Sequence, residues 1–193
     1  MTMTAKTAKT AKTAKTADNE SAGAVDAERA DLLAMLAKHR HFLRFTTRGL
    51  SDEQAARRTT VSELCLGGLI KHVTLVERNW ANFLLHGASA MGDASAMTGD
   101  DYAAWAEQFA MLPGETLAGV LAAYAEAGQR TDALVRTLPD LNATQPLPTA
   151  PWFEPGGRWS ARHVLLHIMT ETAQHCGHAD IIRESLDGAK TMG

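Results

Sequence analysis

One C-terminal segment carries several metal-ligating residue types at helical spacing. Three histidines and one glutamate fall within a sector of about 80° when each residue is turned by about 100° around a helix axis: His167, Glu171, His175 and His178. Val164 and Ile182 share this sector, which predicts that it faces a protein core. A carboxylate and several imidazoles on a buried face are costly unless they are paired or bind a metal.

A metal site is the chemistry that this spacing favours. Glu171 and His175 are four residues apart, so their side chains meet over one helical turn and can converge on a single cation. His72 holds a comparable position on a second helical pattern. Three protein ligands leave a coordination position open, as in catalytic zinc sites. The sequence therefore predicts a divalent metal at these three residues, with zinc expected and nickel as the alternative.

Neighbouring polar residues offer alternatives within this site. His178 is the main competitor as a ligand and His167 is the next, although either could instead orient a ligand by hydrogen bonding. Glu77 and Asp180 are further candidates for such supporting hydrogen bonds. Cys176 lies about 100° around the helix from the adjacent ligand, so it is expected to pack rather than to coordinate. The sequence identifies no catalytic base and no substrate-binding residue.

Four long amphipathic patterns must position these residues. They are predicted as helices over residues 26–47, 61–86, 114–138 and 160–186, with a short helix over Tyr102–Met111. Thr60 is the expected N-cap of the second helix, within a capping box. Because no segment alternates with period two, we expect an all-α fold: a single four-helix bundle over residues 26–193, with long loops after helices two and three. Residues 1–25, rich in Thr-Ala-Lys repeats, are expected to form a disordered tail.

The charge balance excludes several classes of partner. The 193 residues contain 19 Lys and Arg against 22 Asp and Glu, and four of the lysines lie within residues 1–17. The rest of the chain is therefore acidic, which argues against a nucleic-acid surface. No run of about 20 apolar residues is present for a membrane span. With two cysteines and no apolar leader in front of the helices, the expected location is cytoplasmic.

Several segments match those of a known family: Gly49–Glu53, Leu66–His72 with Glu77–Trp80, Gly157–Ser160, and Glu171–Glu184 closing on Leu186–Gly188. Through them the sequence resembles the DinB/YfiT-like superfamily of metal-binding four-helix bundles, within it an actinobacterial branch of mycothiol-dependent, mini-circle-type proteins, and the resemblance covers about residues 27–192. It implies that His72, Glu171 and His175 are the metal ligands and that zinc is the metal. It also implies mycothiol or a similar small thiol as cosubstrate, and it makes a homodimer plausible.

Two classes of function follow from these observations. The first is a metal-dependent transferase or isomerase that activates a low-molecular-weight thiol toward a small electrophile. Its pocket would lie near the metal, walled by the loop 139–158 with Trp152, Phe153 and Trp159. The alternative is a non-catalytic, stress-response bundle that binds a metal or another ligand. A bundle without any metal, in which the polar residues bond to one another, is a third interpretation.

Overall fold

The computed structural model describes residues 27–91 and 98–191, so the predicted tail over residues 1–25 lies outside the described part of the chain. The helices and strands follow in this order: α1 (residues 27–45), α2 (Asp52–Ala56), α3 (Leu66–His86), a 3₁₀ turn (Gly87–Ala90), α4 (Gly99–Glu107), α5 (Leu117–Thr137), β1 (Thr144–Pro146), β2 (Arg158–Ser160) and α6 (Ala161–Asp187). The prediction of an all-α helical bundle is confirmed.

Two clusters of buried side chains show how the four long helices pack. One cluster joins the N-terminal halves of α1 and α6 to the C-terminal halves of α3 and α5, with Leu36, Phe83 and Leu165 among its members. The other joins the opposite halves of the same four helices, around Leu43 and Leu69. Helices α1 and α6 therefore run in one direction and α3 and α5 in the other. A parallel α3–α5 pair requires a connection that runs the length of the bundle, which is why the connection between these two helices, which we call the crossover, is long.

The termini of α3 and α6 test the expected helix boundaries. Helix α6 begins and ends as predicted, with Ser160 accepting a hydrogen bond from the backbone N–H of His163 and Gly188 in the left-handed conformation. The predicted N-cap of helix two is wrong: α3 begins at Leu66, and the Cys65 side chain caps it. The Thr60 hydroxyl accepts a hydrogen bond from the backbone N–H of Ser62 and so caps only a local turn, and neighbouring Thr59 donates to the carbonyl of Ile182 on α6 at 3.1 Å.

A pair of glycines on α3 lets the crossover lie directly on the bundle. A Cβ atom at Gly68 would overlap the backbone of Phe109, and one at Gly67 would overlap the Met111 side chain. Only residues without a side chain allow this approach. The segment after α4 is therefore held against the first turns of α3, one turn before His72.

The connection between α5 and α6 contains a small sheet that the sequence patterns did not indicate. Strands β1 and β2 pair antiparallel, with Thr144 opposite Ser160. The short helix of the crossover also differs from its expectation, since α4 begins at Gly99 rather than at Tyr102. Among the helices described, none combines the length and the apolar character needed to cross a membrane.

Candidate metal centre

Helices α3 and α6 bring the three predicted ligand residues together. His72, Glu171 and His175 each offer one ligand atom, and these atoms lie within 4.8 Å of one another. The rings of His72 and His175 meet edge to face, with 4.7 Å between their centroids. His72 is buried and the other two residues are partly buried, so the cluster lies at the border between the core and an open space. We call these three residues the His–Glu–His cluster.

The carboxylate of this cluster has no cationic side chain beside it in the described ranges. Its nearest charged or chargeable neighbours are the Nε2 atoms of His167 and His175, at 3.7 and 3.8 Å. These distances exceed those of a hydrogen bond. Burial lowers the pKa of His72, and burial together with the nearby His72 and His178 lowers the pKa of His175 to about 4. Both imidazoles are therefore neutral at pH 7, the protonation state that binds metals.

A glutamine fixes the orientation of His72. The Oε1 atom of Gln108 lies 3.0 Å from His72 Nδ1, while its Nε2 atom donates to the Trp105 carbonyl at 2.7 Å. Because the amide N–H is used by a carbonyl, Oε1 is the atom that accepts a hydrogen bond from His72 Nδ1–H. The Nε2 atom of His72 then carries its lone pair. Sequence reasoning missed Gln108, which follows α4 and reaches α3 only through tertiary packing.

His178 occupies the corresponding position beside His175. Their Nδ1 atoms are 3.3 Å apart, and the Nε2 atom of His175 is on the side of Glu171. His178 therefore lies beside the three-residue cluster, and its role in orienting His175 stays a prediction. The other alternative ligand, His167, packs edge to face on Trp80 at 4.8 Å between ring centroids.

Three other sequence candidates are engaged elsewhere. Glu77 was expected near the metal, but it is fully buried against Arg40 on the other side of α3. Asp180 accepts hydrogen bonds from Thr191 instead. Cys176 packs as predicted: its thiol donates to a backbone carbonyl of α1 at 3.4 Å, and burial raises its pKa to about 11. Such a thiol is a poor nucleophile at neutral pH.

A cavity of about 840 Å³ opens beside the cluster, and all three cluster residues line it. Its aromatic lining comes from α3, from the end of α4 and from the loop before β2: Trp80, Trp105, Phe109, Trp152 and Phe153. The expected wall formed by Trp152 and Phe153 is confirmed. Trp159 was wrongly included, because it stacks behind Trp80 at 4.7 Å between ring centroids. A cavity of this size is typical of small-molecule sites.

Comparison with known proteins agrees with this geometry. The model of the mycothiol-S-transferase family matches residues 31–188, a range that contains the whole His–Glu–His cluster and the cavity lining. A search of curated proteins gave no match. Because the family match covers most of the chain, the protein belongs to the mycothiol-S-transferase family, within the DinB/YfiT-like superfamily of helical bundles.

Proposed function

We propose that this protein is a zinc-dependent transferase that moves mycothiol, or a similar low-molecular-weight thiol, onto a small electrophile. The observation that carries the proposal is the His–Glu–His cluster on the wall of the cavity. Two neutral imidazoles and one carboxylate meet there within 4.8 Å. No lysine or arginine side chain among the described residues pairs with this carboxylate. Such a set is costly beside an apolar core unless a cation joins it.

The donor set suits a divalent transition metal. Imidazole nitrogen and carboxylate oxygen are common zinc ligands, and nickel accepts the same donors. His72, Glu171 and His175 would hold the ion, with Gln108 and His178 keeping the two imidazoles in place. With three protein ligands, the ion would have room for a thiol sulfur and would supply the positive charge that favours the thiolate form.

The rest of the reaction depends on the cavity. Its volume is sufficient for the acceptor beside the cluster, and its aromatic side chains offer apolar contacts to the acceptor. The sulfur donates an electron pair to the electrophilic carbon, a leaving group departs with its bonding pair, and the thiol proton is released to solvent. Cys176 is not proposed as the nucleophile, because its pKa of about 11 keeps it protonated.

The first test is metal content. We expect about one zinc or similar ion per chain in the untagged wild-type protein, measured by elemental analysis after loading and removal of free metal. His72→Ala and His175→Ala should each lose the ion, because each removes one ligand from a different helix. His41→Ala is the matched control, since His41 is an exposed histidine on α1 and should leave the metal content unchanged.

The second test is thiol consumption by the metal-loaded protein. With mycothiol and a panel of electrophiles, we expect metal-dependent loss of free thiol that both ligand variants abolish. Retained metal without any thiol consumption would instead favour the non-catalytic metal-binding bundle. Absence of metal from the loaded wild-type protein would contradict both functions.

A further inference from the structure

We propose that the cavity is built for an uncharged, electron-poor aromatic electrophile, whose ring packs against Trp105 and Trp152. This inference rests on the proposed function, because it identifies the class of acceptor that the thiol would attack. It is carried by the placement of the aromatic side chains, by their exposure and by the charge of the lining.

Two chains of aromatic contacts lead outward from the region of the cluster. On the side of α4, Phe109 stacks on His72 at 4.3 Å between ring centroids, and Trp105 packs on Phe109 at 5.1 Å. We call Trp105 and Phe109 the α4 arm. On the loop before β2, Phe153 packs on Trp80 at 6.2 Å between ring centroids, and Trp152 packs on Phe153 at 6.1 Å.

We call Trp152 and Phe153 the loop arm. Each arm therefore has an inner ring that contacts a residue of α3 and an outer tryptophan farther from α3. Both outer tryptophans line the cavity. Two elements far apart in sequence thus supply the same type of residue to one space.

The exposure of the two outer tryptophans is the second observation. Trp105 is 54% exposed and Trp152 is 64% exposed, whereas Trp80 is 5% exposed. An indole ring offers a large apolar area and an electron-rich face, which favours stacking with flat, electron-poor rings. Large apolar side chains gathered at the mouth of a cavity are typical of a ligand site. An aromatic ligand in the cavity would find an exposed indole on each of these two elements.

The charge of the lining selects among aromatic ligands. The residues that line the cavity include two acids, Asp101 and Glu171, and no lysine or arginine among the residues that the structure describes. Hydrogen bonds from Thr98 lower the pKa of Asp101, so it stays negative at pH 7. A divalent ion, the Glu171 carboxylate and a bound thiolate sum to no net charge. The Asp101 charge would then remain and would repel an anionic acceptor.

A chloronitroarene illustrates the reaction expected in this space. In 1-chloro-2,4-dinitrobenzene the thiolate sulfur forms a bond to the ring carbon that carries chlorine. Chloride leaves with the electrons of the carbon–chlorine bond, and the proton of the thiol goes to solvent. The products are the aryl thioether, chloride and a proton, so no oxidant or reductant is needed.

Binding is tested first on the full-length zinc-loaded protein saturated with the thiol, the state in which the charges of the ion, Glu171 and the thiolate cancel; the probes cannot react. The probes are 1,3-dinitrobenzene and 3,5-dinitrobenzoate, which differ only by a carboxylate and lack a leaving group. We expect calorimetry to give a dissociation constant about tenfold lower for the neutral probe. Trp152→Ala and Trp105→Ala should each weaken its binding about fivefold, and Trp152→Phe should restore most of the loss. Ile181→Ala is the control, because Ile181 is 63% exposed and does not line the cavity.

Kinetics then connect the subsite to the acceptor. With 1-chloro-2,4-dinitrobenzene, Trp152→Ala should raise the KM for the electrophile and leave the KM for the thiol unchanged. Equal affinity for the two binding probes, or wild-type affinity in both alanine variants, would overturn the inference. Selective binding without thiol transfer would support the aromatic subsite and contradict the transferase function, so the two failures are distinguishable.

Discussion

Two polar clusters lie within the same bundle and differ in how their charges are balanced. The first, which we call the charge cluster, joins α1, α3 and α5. Arg40 donates to both carboxylate oxygens of Glu77, at 2.5 and 3.2 Å, and to Asp132 at 2.8 Å. Glu77 is fully buried, so the guanidinium is the cation that keeps its charge in the core. Gly128 on α5 leaves room for the Arg40 side chain.

The His–Glu–His cluster has the opposite character. Among the ionisable groups of the described residues, its carboxylate approaches only imidazoles, at distances beyond hydrogen bonding, and burial holds both ligand histidines neutral. The neighbouring side chains of Gln108 and His178 contact the Nδ1 atoms of the two ligand imidazoles. The polar atoms of the charge cluster thus bond to one another, whereas the ligand atoms of the His–Glu–His cluster face a common point without bonding to one another. The same type of substitution should therefore have different consequences in the two clusters.

The largest expected effect is on folding, in the charge cluster. Glu77→Gln removes the buried negative charge and leaves Arg40 with Asp132 alone. We expect a loss of about 3 kcal/mol in the free energy of unfolding, measured by urea denaturation of the metal-free protein. Glu126→Gln is the matched control, because its pair with Arg78 is exposed and should contribute less than about 1 kcal/mol. Equal losses in the two variants would show that the buried pair has no special role.

The same substitution in the His–Glu–His cluster should act on the metal instead. Glu171→Gln keeps the shape of the side chain but removes the charge that a cation would balance. We expect zinc affinity to fall by about 100-fold, or about 2.7 kcal/mol, measured by competition with a chelator. The metal-free stability should change by less than about 0.5 kcal/mol. Unchanged zinc affinity would remove the carboxylate from the proposed metal site.

The sequence predicted the helical residues of this site and the wall formed by Trp152 and Phe153, and it missed the part that the crossover supplies. The spacing of Glu171 and His175 fixes their common face, because both are on one regular helix. The partner helix was identified from the apolar residues that flank His72. Gln108 and Phe109 could not be predicted, because their position depends on how the crossover packs on Gly67 and Gly68. The partner of Glu77 was likewise missed, since it comes from α1 and not from a neighbour in sequence.

A smaller effect is expected for the residues that orient the ligands. Gln108→Ala and His178→Ala each remove a hydrogen-bond partner from a ligand histidine and leave the ligand itself in place. Loss of such a partner weakens metal binding by about 10-fold to 100-fold in other sites, and we expect about 10-fold here. Chelator competition measures this change. Gln129→Ala on α5 is a control for Gln108→Ala, because its side chain lies outside the cavity lining, and zinc affinity should not respond to it.

The smallest expected effect is a pH dependence that belongs to the His–Glu–His cluster. The pKa of His175 is about 4 in the folded protein, below the value of about 6.5 for an unperturbed histidine. Between these two pH values the unfolded chain binds more protons, so the stability of the metal-free protein falls as the pH decreases. From pH 7 to pH 6, His175 alone should account for about 0.7 kcal/mol.

Urea denaturation of the metal-free protein at several pH values measures this slope. His175→Ala should flatten it, because the variant has no imidazole to protonate at this position. Gln129→Ala should keep the wild-type slope, since it removes no ionisable group. An unaltered slope in His175→Ala would mean that burial does not hold this imidazole neutral. The cluster would then need no cation to balance Glu171, because a protonated His175 could do so itself, and the contrast with the charge cluster would disappear.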